Sequence, residues 1–88
     1  MREKINEKVS VVSYYSDRKN KFLPLRIIWK SREYQLDELG MTHPYQIGDT
    51  WHHIFEMVDN EQSMSFRLNF DTKLLSWTLE VVSDGLPS

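Results

Sequence analysis

From Met64 to Val81 the chain alternates between apolar and polar residues with a period of two. Met64, Phe66, Leu68 and Phe70 are separated by Ser65, Arg67 and Asn69. After a short break at Asp71-Thr72-Lys73 come Leu75, Trp77, Leu79 and Val81, separated by Ser76, Thr78 and Glu80. Successive side chains of a strand point to opposite faces, so this pattern predicts strands with one buried and one wet face. Two such runs across a short polar break predict an antiparallel hairpin. Leu68, Phe70, Trp77 and Leu79 are expected inside, and Arg67, Asn69 and Thr78 outside.

The same reading extends over the chain. Val9, Val11 and Tyr15, opposed by Val12 and Tyr14, predict a strand at 8–15. Leu25, Ile27 and Trp29 alternate with Arg26, Ile28 and Lys30. Pro24 stands at the start of that strand, where a missing N–H is tolerated. Lys30-Ser31-Arg32 is short enough for a tight turn into a strand at 33–38, with Tyr34 and Leu36 inward. Residues 39–50 hold Gly40, Pro44 and Gly48 and show no periodicity, so they read as one long connection. Trp51 to Val58 is a further strand, with Trp51, His53, Phe55 and Met57 on one face. No segment holds a helical pattern free of a competing strand pattern. The expectation is an all-β, six-stranded antiparallel meander that forms a small barrel or strongly curved sheet. It is one domain over 1–88, with 1–7 and 83–88 as flexible tails.

Eighty-eight residues build a thin core, and eleven aromatic side chains supply much of its apolar area. Cysteine is absent, which excludes disulfides and thiolate metal ligands. No apolar run reaches the length of a membrane span, and the start lacks a signal-like stretch. A cytoplasmic protein that stays off membranes is the expectation.

The net charge is −2, but the charges are segregated. Between Asp17 and Arg32 stand six bases, Arg18, Lys19, Lys21, Arg26, Lys30 and Arg32, against one acid. From Glu33 to Gln62 there are seven acids and no Lys or Arg. Such blocks serve as solvated edges, as a phosphate-binding patch, or as complementary faces for self-association.

Catalytic signatures are missing. No serine sits in a nucleophile elbow, and no glycine-rich phosphate loop is present. Asp37 and Glu38 are strand neighbours and diverge. His52 and His53 diverge in the same way, so with His43 they do not assemble a metal site. No enzyme activity and no cofactor are expected. Trp29 and Trp77 read as core. Trp51, beside the irregular connection, reads as an exposed aromatic.

At Pro24-x-x-Ile27-x-Trp29-x-x-Arg32-x-Tyr34-x-Leu36, and again at His53-x-Phe55, Phe66-x-Leu68 and Trp77-x-Leu79, the chain resembles a family of small bacterial all-β domains of uncharacterised function. Some members stand alone; others are associated with lesion-bypass DNA polymerases. Where members carry Gly in the turn after the Trp, this chain has Ser31. The resemblance covers about residues 8–84 and implies an accessory module near nucleic acid, with no catalytic residues.

Three functional expectations follow. The first is a non-enzymatic interaction module that self-associates, as a dimer, through an aromatic surface at Tyr45, Ile47 and Trp51. The second is a nucleic-acid-associated accessory domain using Arg18, Lys19, Lys21, Arg26, Lys30 and Arg32. The third is a small-ligand pocket at the mouth of the barrel.

Overall fold

A computed structural model describes residues 2–38, 40, 42–61 and 63–84. Seven strands run in chain order: β1 (Arg2–Ser16), β2 (Lys21–Trp29), β3 (Arg32–Glu38), β4 (His43–Ile47), β5 (Thr50–Asp59), β6 (Met64–Asp71) and β7 (Ser76–Asp84). Every pairing is antiparallel, in the order β3-β2-β1-β7-β6-β5-β4, and β3 also pairs with β5. Six strands therefore close into an antiparallel barrel, and β4 is an extra strand on β5. The expected all-β class and small-barrel meander are what the chain forms. No helix among the described residues is long and apolar enough to cross a membrane.

Closure depends on two strands that change partner midway. β1 pairs with β7 over Arg2–Val9 and with β2 over Ser10–Ser16. β3 pairs with β2 over Arg32–Gln35 and with β5 over Leu36–Glu38. At the second switch the Asn60 N–H donates to the Gln35 carbonyl at 2.9 Å. Bulges bend the strands at such corners. One lies in β1, where Ile5 and Asn6 stand opposite Glu80 alone and Asn6 takes φ +52°.

The core is the inward face of this alternation. Ile27, Leu36, Phe55, Met57, Phe66, Leu68, Trp77, Leu79 and Val82 are buried in one cluster. Phe22, Val9, Val11, Trp29, Tyr34 and Phe70 pack against it, partly buried. The rings of Phe22, Phe55, Phe70 and Trp77 meet at centroid distances of 4.8–6.1 Å. That spacing suits offset or edge-on aromatic packing.

Four expectations are corrected. Arg2–Glu7 are not a tail: they form the first half of β1, hydrogen-bonded to β7 as far as Ser83, and Asp84 ends β7. Residues 85–88 of the expected C-terminal tail lie outside the described residues. The connection at 39–50 contains β4, a short strand with no fully buried face. Leu25 points out, because Val12 pairs with Arg26 and Ser13 with Pro24, leaving Leu25 as the extra residue of a bulge. Leu75 is not inward either; it ends the Thr72–Leu75 turn at φ +56° and is 73% exposed.

Candidate interaction surface

Above the level where β7 begins, β1 and β2 continue as a two-stranded ribbon. Val9 is the last β1 residue opposite β7, and Arg26 is the first β2 residue opposite β3. Ser10–Val12 therefore pair with Ile28–Arg26 and Ser13–Ser16 with Pro24–Lys21, and among the described residues no third strand lies beside Ser10–Ser16 or Phe22–Leu25. An isolated ribbon of this kind is marginal in water. Here Phe22 anchors it by inserting among Phe55, Phe70 and Trp77. The tip is fixed locally: the Tyr15 hydroxyl donates to Asn20 Oδ1 at 2.8 Å, and the Lys19 N–H donates to Ser16 Oγ at 3.2 Å.

The β1–β2, β4–β5 and β6–β7 turns lie at the same end of the barrel, since their strands alternate in direction. Two of them are tied together, because the Thr72 N–H and hydroxyl both donate to the Trp51 carbonyl, at 3.1 and 2.7 Å. The Thr72–Leu75 turn is capped by Asp71, whose carboxylate accepts from the Lys73 and Leu74 N–H groups. The Leu74 N–H bond is the largest cause holding the Asp71 carboxyl below its ordinary value, against a smaller desolvation effect that raises it.

This end carries most of the exposed apolar surface. Among the described residues nine large hydrophobic side chains are exposed. Val12, Tyr14, Tyr15 and Leu25 are on the ribbon; Ile47, Trp51, Leu74 and Leu75 flank the neighbouring turns; Ile28 alone lies lower. Such clustering marks an interaction surface far more than scattered single residues do.

The sequence placed that surface on Tyr45, Ile47 and Trp51. The register separates them. Tyr45 stands opposite His52 and Ile47 opposite Thr50, while Trp51 stands opposite Gln46, so Trp51 is on the other face of the hairpin. Tyr45 is half-buried, stacked on His52 at 5.2 Å with its hydroxyl accepting from Asn69. Ile47 and Trp51 are exposed, at 58% and 48%. Alternation offers Tyr14 as an alternative to Tyr45 beside Trp51, and places Val12 and Tyr15 only as strand faces. Their partnerless edge shows only once the switch of β1 from β7 to β2 is known.

The six bases also divide. Arg18, Lys19 and Lys21 lie at the ribbon tip, where with Tyr14, Leu23 and Leu25 they border a groove of about 640 Å³. Arg26 is on the outer wall, paired with Glu33 at 2.9 Å. Lys30 and Arg32 lie at the opposite end, over the rings of Trp29 and Tyr34 at 4.9 and 5.3 Å.

Beneath the ribbon, the barrel opens between β2 and the β5–β6 pair. The opening is a cavity of about 460 Å³ with Phe22, Leu23, Phe55 and Phe70 as apolar walls and Lys21, Thr42, His53 and Thr72 among its other lining residues. Its size falls in the range of small-molecule sites. Each histidine has a separate setting. His53 faces inward beside Phe55 at 6.5 Å, His52 faces outward, and His43 is exposed opposite Ile54. Among the described residues no three His, Asp or Glu side chains converge as metal ligands would.

The outer wall carries a polar network on the strand faces that alternation predicts to be wet. His52 Nδ1 meets Asn69 Oδ1 at 2.9 Å, and Asn69 Nδ2 donates to Tyr45 Oη and to Glu80 Oε2 at 3.0 and 2.8 Å. Arg67 bridges Glu80 and Glu56 at 3.0 and 3.3 Å. Glu80 enters this row because a bulge leaves it unpaired between Leu79 and Val81 and turns its carboxylate outward. Arg67, Asn69 and Thr78, expected to be exposed, are half-buried. The network joins β4, β5, β6 and β7.

No family model, curated protein or solved structure matches the chain.

Proposed function

We propose that this domain acts by binding and not by catalysis, and that it self-associates through the apolar surface at the ribbon end of its barrel. The observation that carries the reading is the concentration of exposed Val12, Tyr14, Tyr15, Leu25, Ile47, Trp51, Leu74 and Leu75 at that end. A thin core with this much uncovered apolar surface gains stability when a second copy covers it. Both charge signs are present at the same end: Arg18 and Lys19 on the β1–β2 turn, Asp49 and Asp71 at the other two turns. A two-fold interface lets a basic turn of one copy face an acidic turn of the other. The apolar residues then supply most of the affinity, and the rim charges set orientation.

The test is sedimentation velocity over a hundredfold range of concentration. A shift from monomer to dimer with rising concentration supports the proposal. A monomer throughout, into the hundreds of micromolar, overturns it.

The groove between Tyr14 and the bases Arg18, Lys19 and Lys21 supports a second reading, an accessory domain near nucleic acid. An aromatic ring beside phosphate-binding bases is the arrangement single strands use. Such binding weakens steeply as salt rises, through counterion release. Failure of single-stranded DNA and RNA to shift at low salt would remove this reading.

A further inference from the structure

Among the described residues three strand edges near the ribbon have no neighbouring strand, and two carry a protective residue. The outer edge of β2 holds Pro24; β4, at the end of the sheet, holds Pro44. Proline and lysine are the usual devices that stop an edge from adding another strand. The third edge, Ser10–Ser16 of β1, reads Ser-Val-Val-Ser-Tyr-Tyr-Ser. It contains no charge, no proline and no glycine, and its residue types favour strands. The bulge at this level lies on β2, so β1 itself stays regular. No backbone hydrogen bond beyond those to β2 engages it among the described residues.

The segment is also symmetric about Ser13. Folding the sequence back on itself at that residue sets Val12 against Tyr14, Val11 against Tyr15 and Ser10 against Ser16. An antiparallel pairing with its two-fold axis at Ser13 therefore matches β-branched side chains with aromatic ones at four positions and serine with serine elsewhere. Those are favourable cross-strand pairs. Val12 and Tyr14 are both exposed on the ribbon, so their apolar pairing needs no rearrangement. Lys8 before the segment and Asp17-Arg18-Lys19 after it charge both ends, which limits the pairing to this stretch.

We infer that β1 is a strand-addition site for a second copy of this chain, pairing Ser10–Ser16 with Ser10–Ser16 of the partner about a two-fold axis at Ser13. The β2–β1 ribbons of the two copies then form one four-stranded sheet. The pairing consumes both free β1 edges, so the assembly stops at two. This inference rests on the self-association proposed above and specifies its strand and register. The partner strand runs on beyond the start of β7, past the exposed Leu74 and Leu75 of the β6–β7 turn.

The absence of cysteine makes the register directly testable. At the two-fold axis the Ser13 Cα atoms lie opposite one another, about 4.5–5.5 Å apart, as antiparallel partners do. That separation lies within the disulfide range of about 4.4–6.8 Å. Ser13→Cys is expected to oxidise rapidly to a disulfide-linked dimer. Ser10→Cys, about 20 Å from its own copy at some 3.3 Å per residue, is expected to cross-link no faster than chance collision. Separately, Val12→Glu and Tyr14→Lys are each expected to weaken dimerisation at least tenfold. Mixing the two variants should restore it in part, because position 12 of one copy faces position 14 of the other. Equal cross-linking of Ser13→Cys and Ser10→Cys, or no recovery on mixing, while wild type still dimerises, overturns the register and leaves self-association standing. A wild type that stays monomeric overturns both.

Discussion

Phe22 holds the ribbon to the barrel, and its removal measures that attachment. Its ring packs against Phe55, Phe70 and Trp77 at centroid distances of 6.1, 5.2 and 5.8 Å. Truncating a fully buried Phe to Ala costs about 3–5 kcal/mol. Phe22 is only partly buried, and it borders the open cavity, into which neighbouring side chains can relax. Phe22→Ala should therefore cost about 2–3 kcal/mol, of which the aromatic geometry supplies roughly 0.5–1.5 kcal/mol per ring pair at most. Against a total of about 5–15 kcal/mol for an ordinary domain, this remains foldable. With an m value near 1 kcal/mol/M in urea, the midpoint should fall by about 2–3 M at unchanged slope. Hydrogen exchange should show the amides of 10–16 and 21–25 losing more protection than those of β5 and β6, because the ribbon opens locally. A midpoint shift under about 0.5 M, or a uniform loss of protection, would refute Phe22 as the anchor of the ribbon.

Asp59 is buried at the end of β5, and its carboxylate accepts the Ser63 N–H, the Ser63 hydroxyl and the Met64 N–H at 2.7, 2.7 and 3.2 Å. Asp59→Ala should cost about 2–4 kcal/mol by chemical denaturation, since charged hydrogen bonds are lost and donors are left unpaired. Asp71 has a lowered pKa in the folded state, from 3.8, so its contribution is full above the unfolded value and is lost as pH falls through the folded one. Wild type should lose more thermal stability than Asp71→Asn on acidification from about pH 5 to pH 2; equal losses would count against the cap. Lys30 and Ser31 both take positive φ, +54° and +63°, in the β2–β3 turn. Ser31→Gly should stabilise the fold by about 0.5–1 kcal/mol, because glycine adopts that conformation without strain; a lower melting temperature would contradict this.

The fold was legible wherever a strand has one wet and one buried face. Leu68, Trp77 and Leu79 lie inside as their alternation required. Legibility failed where that condition fails. β4 presents no fully buried face, so His43–Ile47 shows no period of two. Arg2–Glu7 are mostly exposed, and their partners Ser83 to Leu79 lie at the far end of the sequence, so composition alone made them a tail. Leu25 has the right alternation for the core, but a one-residue bulge moves it to the other face, and nothing local announces that bulge. The outer network was half legible. Glu56, Arg67, Asn69 and Glu80 were placed on outward positions, but their contact depends on a register and a bulge set by the whole barrel. The candidate surface was legible in kind, as exposed aromatics, and not in place. Trp51 and Ile47 are exposed as read, while the Val12, Tyr14 and Tyr15 edge follows from β1 exchanging β7 for β2 at Ser10.

Amide hydrogen exchange of β1, followed as a function of protein concentration, tests the self-association of this ribbon most directly. Alternate N–H groups of Ser10–Ser16 point away from β2 and have no backbone partner among the described residues. These amides should exchange fast in dilute protein and become protected as concentration rises, while those of β6 stay unchanged. Amides of Ser10–Ser16 that exchange at one rate across the whole concentration range would contradict the account.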